Sequence, residues 1–171
     1  MWKHTGQQRP DFAEQPGPGQ ESVWDYPRPP KLEPCRQTVR VLYQGSELAR
    51  SNNAARVLET ASPPTIYLPP DDIAMDQLQL IEGASFCEWK GAAEYWGPIN
   101  GPLVGTAVAW RYPRISPSFS KIEGFLCFYP GRVDCYLGDE HVRPQEGGFY
   151  GGWVTDAIVG PWKGQPGTAG W

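Results

Sequence analysis

No stretch of this chain approaches the roughly 18 consecutive apolar residues that a membrane-spanning helix needs. The first ten residues, Met1 to Pro10, contain no apolar core of the kind a secretory signal carries. Histidine is scarce: His4 and His141 alone leave too little for a histidine-held metal or a Ser-His-Asp triad. The four cysteines, Cys35, Cys87, Cys127 and Cys135, form no Cys-x-x-Cys pair, which excludes a zinc knuckle or a redox dithiol. There is no excess of positive charge either. Fifteen basic against nineteen acidic side chains give a net charge of −4, with no general pull toward phosphate backbones. Both common phosphate cradles, Gly-x-Gly-x-x-Gly after a strand and Gly-x-x-x-x-Gly-Lys-Ser/Thr, are missing. These absences predict a cytoplasmic protein with reduced thiols and no metal, cofactor, nucleic-acid or membrane partner; the oligomeric state is left open.

What the chain does hold is glycine (20) and proline (19), which together make about 23% of its 171 residues, against a usual ~12%. Both interrupt helices and collect at turns, which argues against a helix bundle. They are concentrated at the ends: ten fall in residues 1–34 and eleven in 144–171. This divides the chain into a proline-rich N-terminal extension (1–34), a β domain (35–143) and a glycine- and aromatic-rich C-terminal extension (144–171) packed on it.

Alternation from Thr38 to Tyr43 predicts a half-buried strand, followed by a turn at Gln44-Gly45 and a return strand over Glu47 to Arg50. Asn52 to Glu59 reads as a short helix with an amide cap. A strand at Thr65 to Leu68 and a helical turn opened by Pro69-Pro70-Asp71-Asp72 follow. Further strands are expected over 84–90, 93–99, 104–112, 122–129 and 132–137. The sum is a mainly β, antiparallel single domain with one or two short helices.

Aromatics number 22, eight of them tryptophan. Trp89, Tyr95 and Trp96 cluster, and Trp110 and Tyr112, two apart, share one face of a strand. Core filling explains such rings in most proteins. Their one-sided placement beside Lys90, Glu94 and Arg111 suits the lining of a pocket for a flat or cationic small molecule. In Ser85 to Gly91, an extended strand would place Phe86, Glu88 and Lys90 on one face and Cys87 and Trp89 on the other, separating Cys87 from the lysine that would activate it. Glu88 and Lys90 would then pair with each other or with a neighbouring strand. Asp71 and Asp72 read better as the start of a helical turn than as metal ligands.

Val39 to Glu47, Arg56 to Thr60, Pro63-Pro64, Tyr67 to Asp72, Cys87 to Gly91, Tyr95-Trp96, Ala109-Trp110, Tyr112-Pro113, Phe128 to Pro130 and Val133-Asp134 appear in order. In this the chain resembles the DUF427 family over about residues 38–138. The flanks Glu21 to Pro30 and Gly147 to Trp171 are similar to its extended bacterial subgroup. Where more typical members have Cys-Pro-Tyr-Lys-Gly, this chain has Cys87-Glu88-Trp89-Lys90-Gly91. The resemblance implies a β-tent-like (Mss4-like) fold, usually pinned by a zinc on two Cys-x-x-Cys pairs, which are absent here. The nucleotidyltransferase label attached to the family implies a Gly-Ser pair followed by Asp-x-Asp, also absent.

Three functional readings follow. The first is a small-molecule binder whose pocket is lined by Tyr67, Trp89, Lys90, Glu94, Trp96, Trp110, Arg111 and Tyr112. The second is an enzyme, either nucleotidyltransferase-like through Asp71 and Asp72 or acting through the Cys87 thiol. The third is a protein-interaction scaffold using the C-terminal extension.

Overall fold

The computed structural model describes residues 1–171, and within them only strands, 3-10 turns and loops. In chain order the strands are β1 (Glu21–Ser22), β2 (Lys31–Pro34), β3 (Val39–Tyr43), β4 (Ser46–Ser51), β5 (Ala55–Leu58), β6 (Thr65–Tyr67), β7 (Leu78–Cys87) and β8 (Gly91–Pro98). They continue as β9 (Ala109–Arg111), β10 (Leu126–Phe128), β11 (Asp134–Leu137), β12 (Glu140–His141), β13 (Arg143–Pro144), β14 (Trp153–Val154) and β15 (Ile158–Val159). The protein is mainly β and its sheets are antiparallel, apart from the parallel pair β1–β15. No helix is long and apolar enough to cross a membrane.

Two four-stranded sheets, ordered β10-β9-β8-β7 and β12-β11-β3-β4, and one three-stranded sheet, β2-β5-β6, build the body. The β3–β4 hairpin turns on Gln44 (φ 51°) and Gly45 (φ 77°). Two successive positive φ angles match the right-handed twist of the flanking strands. A reciprocal bridge, Leu68 N–H to Leu126 O at 2.8 Å and Leu126 N–H to Leu68 O at 2.9 Å, ties the end of β6 to β10. That bridge brings the sheet carrying Tyr67 up to the sheet carrying Trp110. A core of 26 buried side chains fills the space between the sheets, among them Val39, Val41, Ile66, Leu68, Leu126 and Phe128.

A second, smaller core belongs to the chain ends. Val23, Trp24, Tyr26, Leu58, Ala61 and Ile158 are buried together, where β1 meets β15 and Trp24 Nε1 donates to Pro161 O at 2.8 Å. Arg28, its side chain 1% exposed, donates to His4 O, Thr60 O and Trp171 O and pairs with Glu59 at 3.4 Å. Trp153 is buried too, its indole N–H bonded to Phe128 O at 2.9 Å.

Several expected elements differ. Residues 52–59 are not a helix: Ala55–Leu58 is the central strand of its sheet, paired with β2 on one side and β6 on the other. The helical turn expected after Pro69 is present, as two 3-10 turns, Pro70–Asp72 and Met75–Gln77, before β7 begins at Leu78. The strand expected over 104–112 is cut to Ala109–Arg111, because Gly101 and Gly105 hold left-handed φ angles of 84° each and bend the preceding chain. The strand expected over 122–129 is cut to Leu126–Phe128 by a 3-10 turn, Pro117–Ile122, and a left-handed Gly124. The strand expected over 84–90 stops at Cys87.

Candidate functional site

The early stop of β7 shapes the site. Cys87 pairs with Gly91 across the hairpin, so Glu88-Trp89-Lys90 is a three-residue loop closed by Gly91 at φ 109°. A three-residue hairpin ends on a left-handed residue, and glycine takes that conformation without a Cβ clash. The alternation expected for a continuous strand is thereby broken: Phe86, Cys87, Glu88, Trp89 and Lys90 all border one cavity, and Cys87 and Lys90 reach the same space.

That cavity has a volume of about 670 Å³. Its floor is aromatic. Tyr95 on β8 and Trp110 on β9 are cross-strand partners and so point to the same face. Tyr67, Tyr112 and Tyr129 complete the floor. Trp110 Nε1 donates to the Tyr67 hydroxyl at 3.3 Å, with the two rings edge to face at 88°. Tyr129 lies 4.7 Å from Trp110, centroid to centroid. Tyr67, Trp110 and Tyr112 are each more than nine-tenths buried, so they are core residues with one surface turned to the hollow. The hairpin loop forms one wall, with Tyr95 Oη bonded to Ser85 Oγ at 2.5 Å. The other wall is the C-terminal segment: Gln145, Gly148 to Gly152 and Lys163. Phe86 and Phe149, both 78% exposed, stand at the rim.

The electrostatics are uneven. Burial pushes the Tyr67 and Tyr112 phenols well above their ordinary value and Tyr129 up to about 12, so all three keep their protons at neutral pH. Burial, and then the Arg28 charge, lower the Lys163 amine. Lys90 is 7% exposed, and its Nζ lies 5.8 Å from the Tyr112 ring centre and 5.5 Å from that of Phe119. Tyr112 and Cys87 border the same cavity. Glu59 is held by Arg28, and Arg132 lies over Tyr129.

Of the residues singled out in the sequence, the cavity gathers Tyr67, Trp89, Lys90, Trp110, Tyr112 and Cys87. Glu94, Trp96 and Arg111 are not among its lining. They sit on the opposite face of the β8–β9 pair, where Arg111 bonds Glu94 and lies 4.7 Å above the Trp96 ring. The pleat explains this, since Tyr95 faces the cavity and its two neighbours must face away. Asp71 and Asp72 lie apart from the cavity, in a shallow groove with Glu47 to Arg50, and Asp72 accepts from Ser51 Oγ at 2.6 Å. Tyr129, Arg132, Gln145, Tyr150 and Lys163 escaped the sequence reading as site residues, whereas Tyr95 was marked by its cluster with Trp89 and Trp96. The glycine- and aromatic-rich composition of residues 144–171 was the one signal that marked Tyr150.

The four cysteines are unpaired. No three His, Cys, Asp or Glu side chains gather closely enough to hold a metal ion. The zinc that the β-tent resemblance implies therefore has no donor set here, and no chemistry is assigned to it.

A search of curated proteins finds no match to the chain. The family model described as a domain of unknown function, DUF427 (NTP_transf_9), matches residues 31–139, from β2 to the turn after β11 and so including the hairpin loop and the aromatic floor. With more than half of its length covered by that match, the chain belongs to the DUF427 family.

Proposed function

We propose that this protein binds a small, flat molecule in the aromatic cavity. The observation that carries the reading is the hollow itself: about 670 Å³ remain open beside Trp89, Tyr95, Trp110 and Tyr112, a volume in the range of small-molecule sites. Rings that only filled a core would close against one another and leave no such space. The net charge of −4 and four unpaired thiols support a cytoplasmic setting without a nucleic-acid partner. The β-tent (Mss4-like) likeness and the bacterial subgroup rest on the family resemblance.

Titration of the intrinsic tryptophan fluorescence with flat aromatic metabolites tests this. Saturable quenching is expected, weakened about tenfold or more by Trp89→Ala, since stacking on one ring is worth roughly 1–3 kcal/mol. Trp89 is only half-buried, so its loss leaves the core intact. Identical isotherms for the native chain, Trp89→Ala and Tyr95→Ala would remove the cavity from consideration.

A second reading, thiol chemistry at Cys87, is favoured by one observation: the sulfur borders the same cavity as Lys90.

A further inference from the structure

Lys90 is, with Lys163, one of two deeply buried lysines at the cavity that have no carboxylate oxygen within 4.0 Å. Its residue is 7% exposed. Arg28, Arg56 and Arg111, by contrast, all have such partners. Its neighbours are two ring faces, Tyr112 and Phe119. Ring quadrupoles attract a cation, but they leave its three N–H donors unbound. A buried charge normally demands a paired charge and hydrogen bonds. The side of Lys90 that is not packed opens into the cavity.

Of the other charges around the hollow, Glu59 and Arg132 are engaged. Glu59 is taken by Arg28. Arg132 donates to Ala107 O and lies over Tyr129. Lys163, 6% exposed and likewise without a carboxylate oxygen within 4.0 Å, sits over the Trp2 ring, and burial and then the Arg28 charge lower its amine. Glu88 itself is exposed at the rim.

Building on the binding reading above, we propose that the ligand is a planar organic monocarboxylate, its carboxylate seated on Lys90 and its ring laid against the Trp89–Trp110 side of the cavity. A phosphate ester fits less well. A dianion is ordinarily met by a guanidinium fork, by a helix N-terminus or by a glycine-rich cradle. Arg132, the guanidinium in the lining, is already spent on Ala107 O and the Tyr129 ring, and no helix N-terminus is available, since the longest 3-10 turn of the chain has six residues.

Three probes with one ring system separate the possibilities: 2-naphthoate, 2-naphthamide and 2-naphthyl phosphate, titrated calorimetrically into the full chain. The naphthoate is expected to bind about tenfold or more tightly than the amide, because a hydrogen bond to a charged partner is worth more than a neutral one. In Lys90→Met that preference should fall to about one, with amide affinity within about threefold of the native chain, since the apolar stem is kept. Equal affinities of the native chain for acid and amide overturn the carboxylate assignment while leaving the cavity as a binding site. So does an unchanged preference in Lys90→Met. Tighter binding of the phosphate than of the acid overturns the monocarboxylate class. Failure of all three probes to bind overturns the binding reading itself, and this inference with it.

Discussion

Position 151 sets how closely the C-terminal segment can approach the cavity floor. A Cβ there would stand 2.3 Å from Trp110 Cη2 and 2.4 Å from Cζ3, so the backbone passes in close contact with the indole. Gly151→Ala must therefore push the segment or the ring aside, at a cost of about 1–3 kcal/mol for overpacking a fitted contact. Urea unfolding should show a lowered midpoint at unchanged slope; an unshifted midpoint would mean that the segment floats free of Trp110. The cysteines differ as sharply by position. Cys35, Cys127 and Cys135 are buried, and burial pushes their thiols upward, whereas Cys87 is half-buried at the cavity edge. Since the thiolate is the reactive form and needs access, a disulfide-exchange reagent should label one thiol per native chain. That label should vanish in Cys87→Ser, with the other three appearing only in denaturant. Rapid labelling of two or more would contradict the packing.

At the scale of elements, β5 shows both what the sequence conveyed and what it withheld. Its residues, Ala55 to Leu58, have good helical propensity, and the asparagines before them can cap. An eight-residue helix in isolation is marginal, however. What decides the segment is its neighbours: β2 and β6 offer ladder partners on both sides, with Leu32 opposite Val57 and Ile66 opposite Arg56. Pairing of that range has no trace in local spacing. Strands marked by alternation or turn chemistry, such as β3 with its Gln44-Gly45 turn, were legible for the converse reason. The hairpin loop falls between: Gly91 was visible, but its left-handed φ, which carries Lys90 round to the side of Cys87, was not. Trp96 and Glu94 missed the cavity through pleat alone, because only one of three consecutive strand residues, Tyr95, could face it. The same strand, β5, holds the N-terminal segment electrostatically. Arg56 bonds both oxygens of Glu21 at 2.8 Å and also Glu33 at 2.5 Å, and its charge holds the Glu21 carboxyl below the ordinary range. Arg9 does the same to Asp25. Depressed carboxyl values mean that this stabilisation is present above the unfolded value, near 4.5 for Glu21, and is lost as pH falls through the folded one. Acidification from pH 6 to 3 should therefore release residues 1–34 to an acid-active protease before β3–β11 yield. Arg56→Met should show the same release at neutral pH. Equal protection of both regions at pH 3 would show that the ion pairs do not hold the segment.

For the whole molecule, the two chain ends behave as structure rather than as appendages. The C-terminal segment supplies one cavity wall, the buried Trp153 and the partner strand of β1, and it provides acceptors for Trp24 and Arg28. Removing residues 144–171 would strip the cover from Phe128 and Pro64, which bond Trp153, and would leave the Arg28 guanidinium short of an acceptor in a buried place, a loss that costs more than the bond itself contributed. A scaffold whose tail serves only to dock a partner would lose the partner and keep its fold. Here the truncated chain should lose cooperative unfolding and bind hydrophobic dyes. The single change Trp153→Ala should already cost about 3–5 kcal/mol, the usual range for deleting a fully buried indole, read as a lowered thermal midpoint in the otherwise intact chain. A truncated chain that unfolds as sharply as the native one would make the tail an interaction arm and reduce the cavity to an open, two-walled groove. The ligand would then lose one of its two walls, and with it most of the burial on which small-molecule affinity depends.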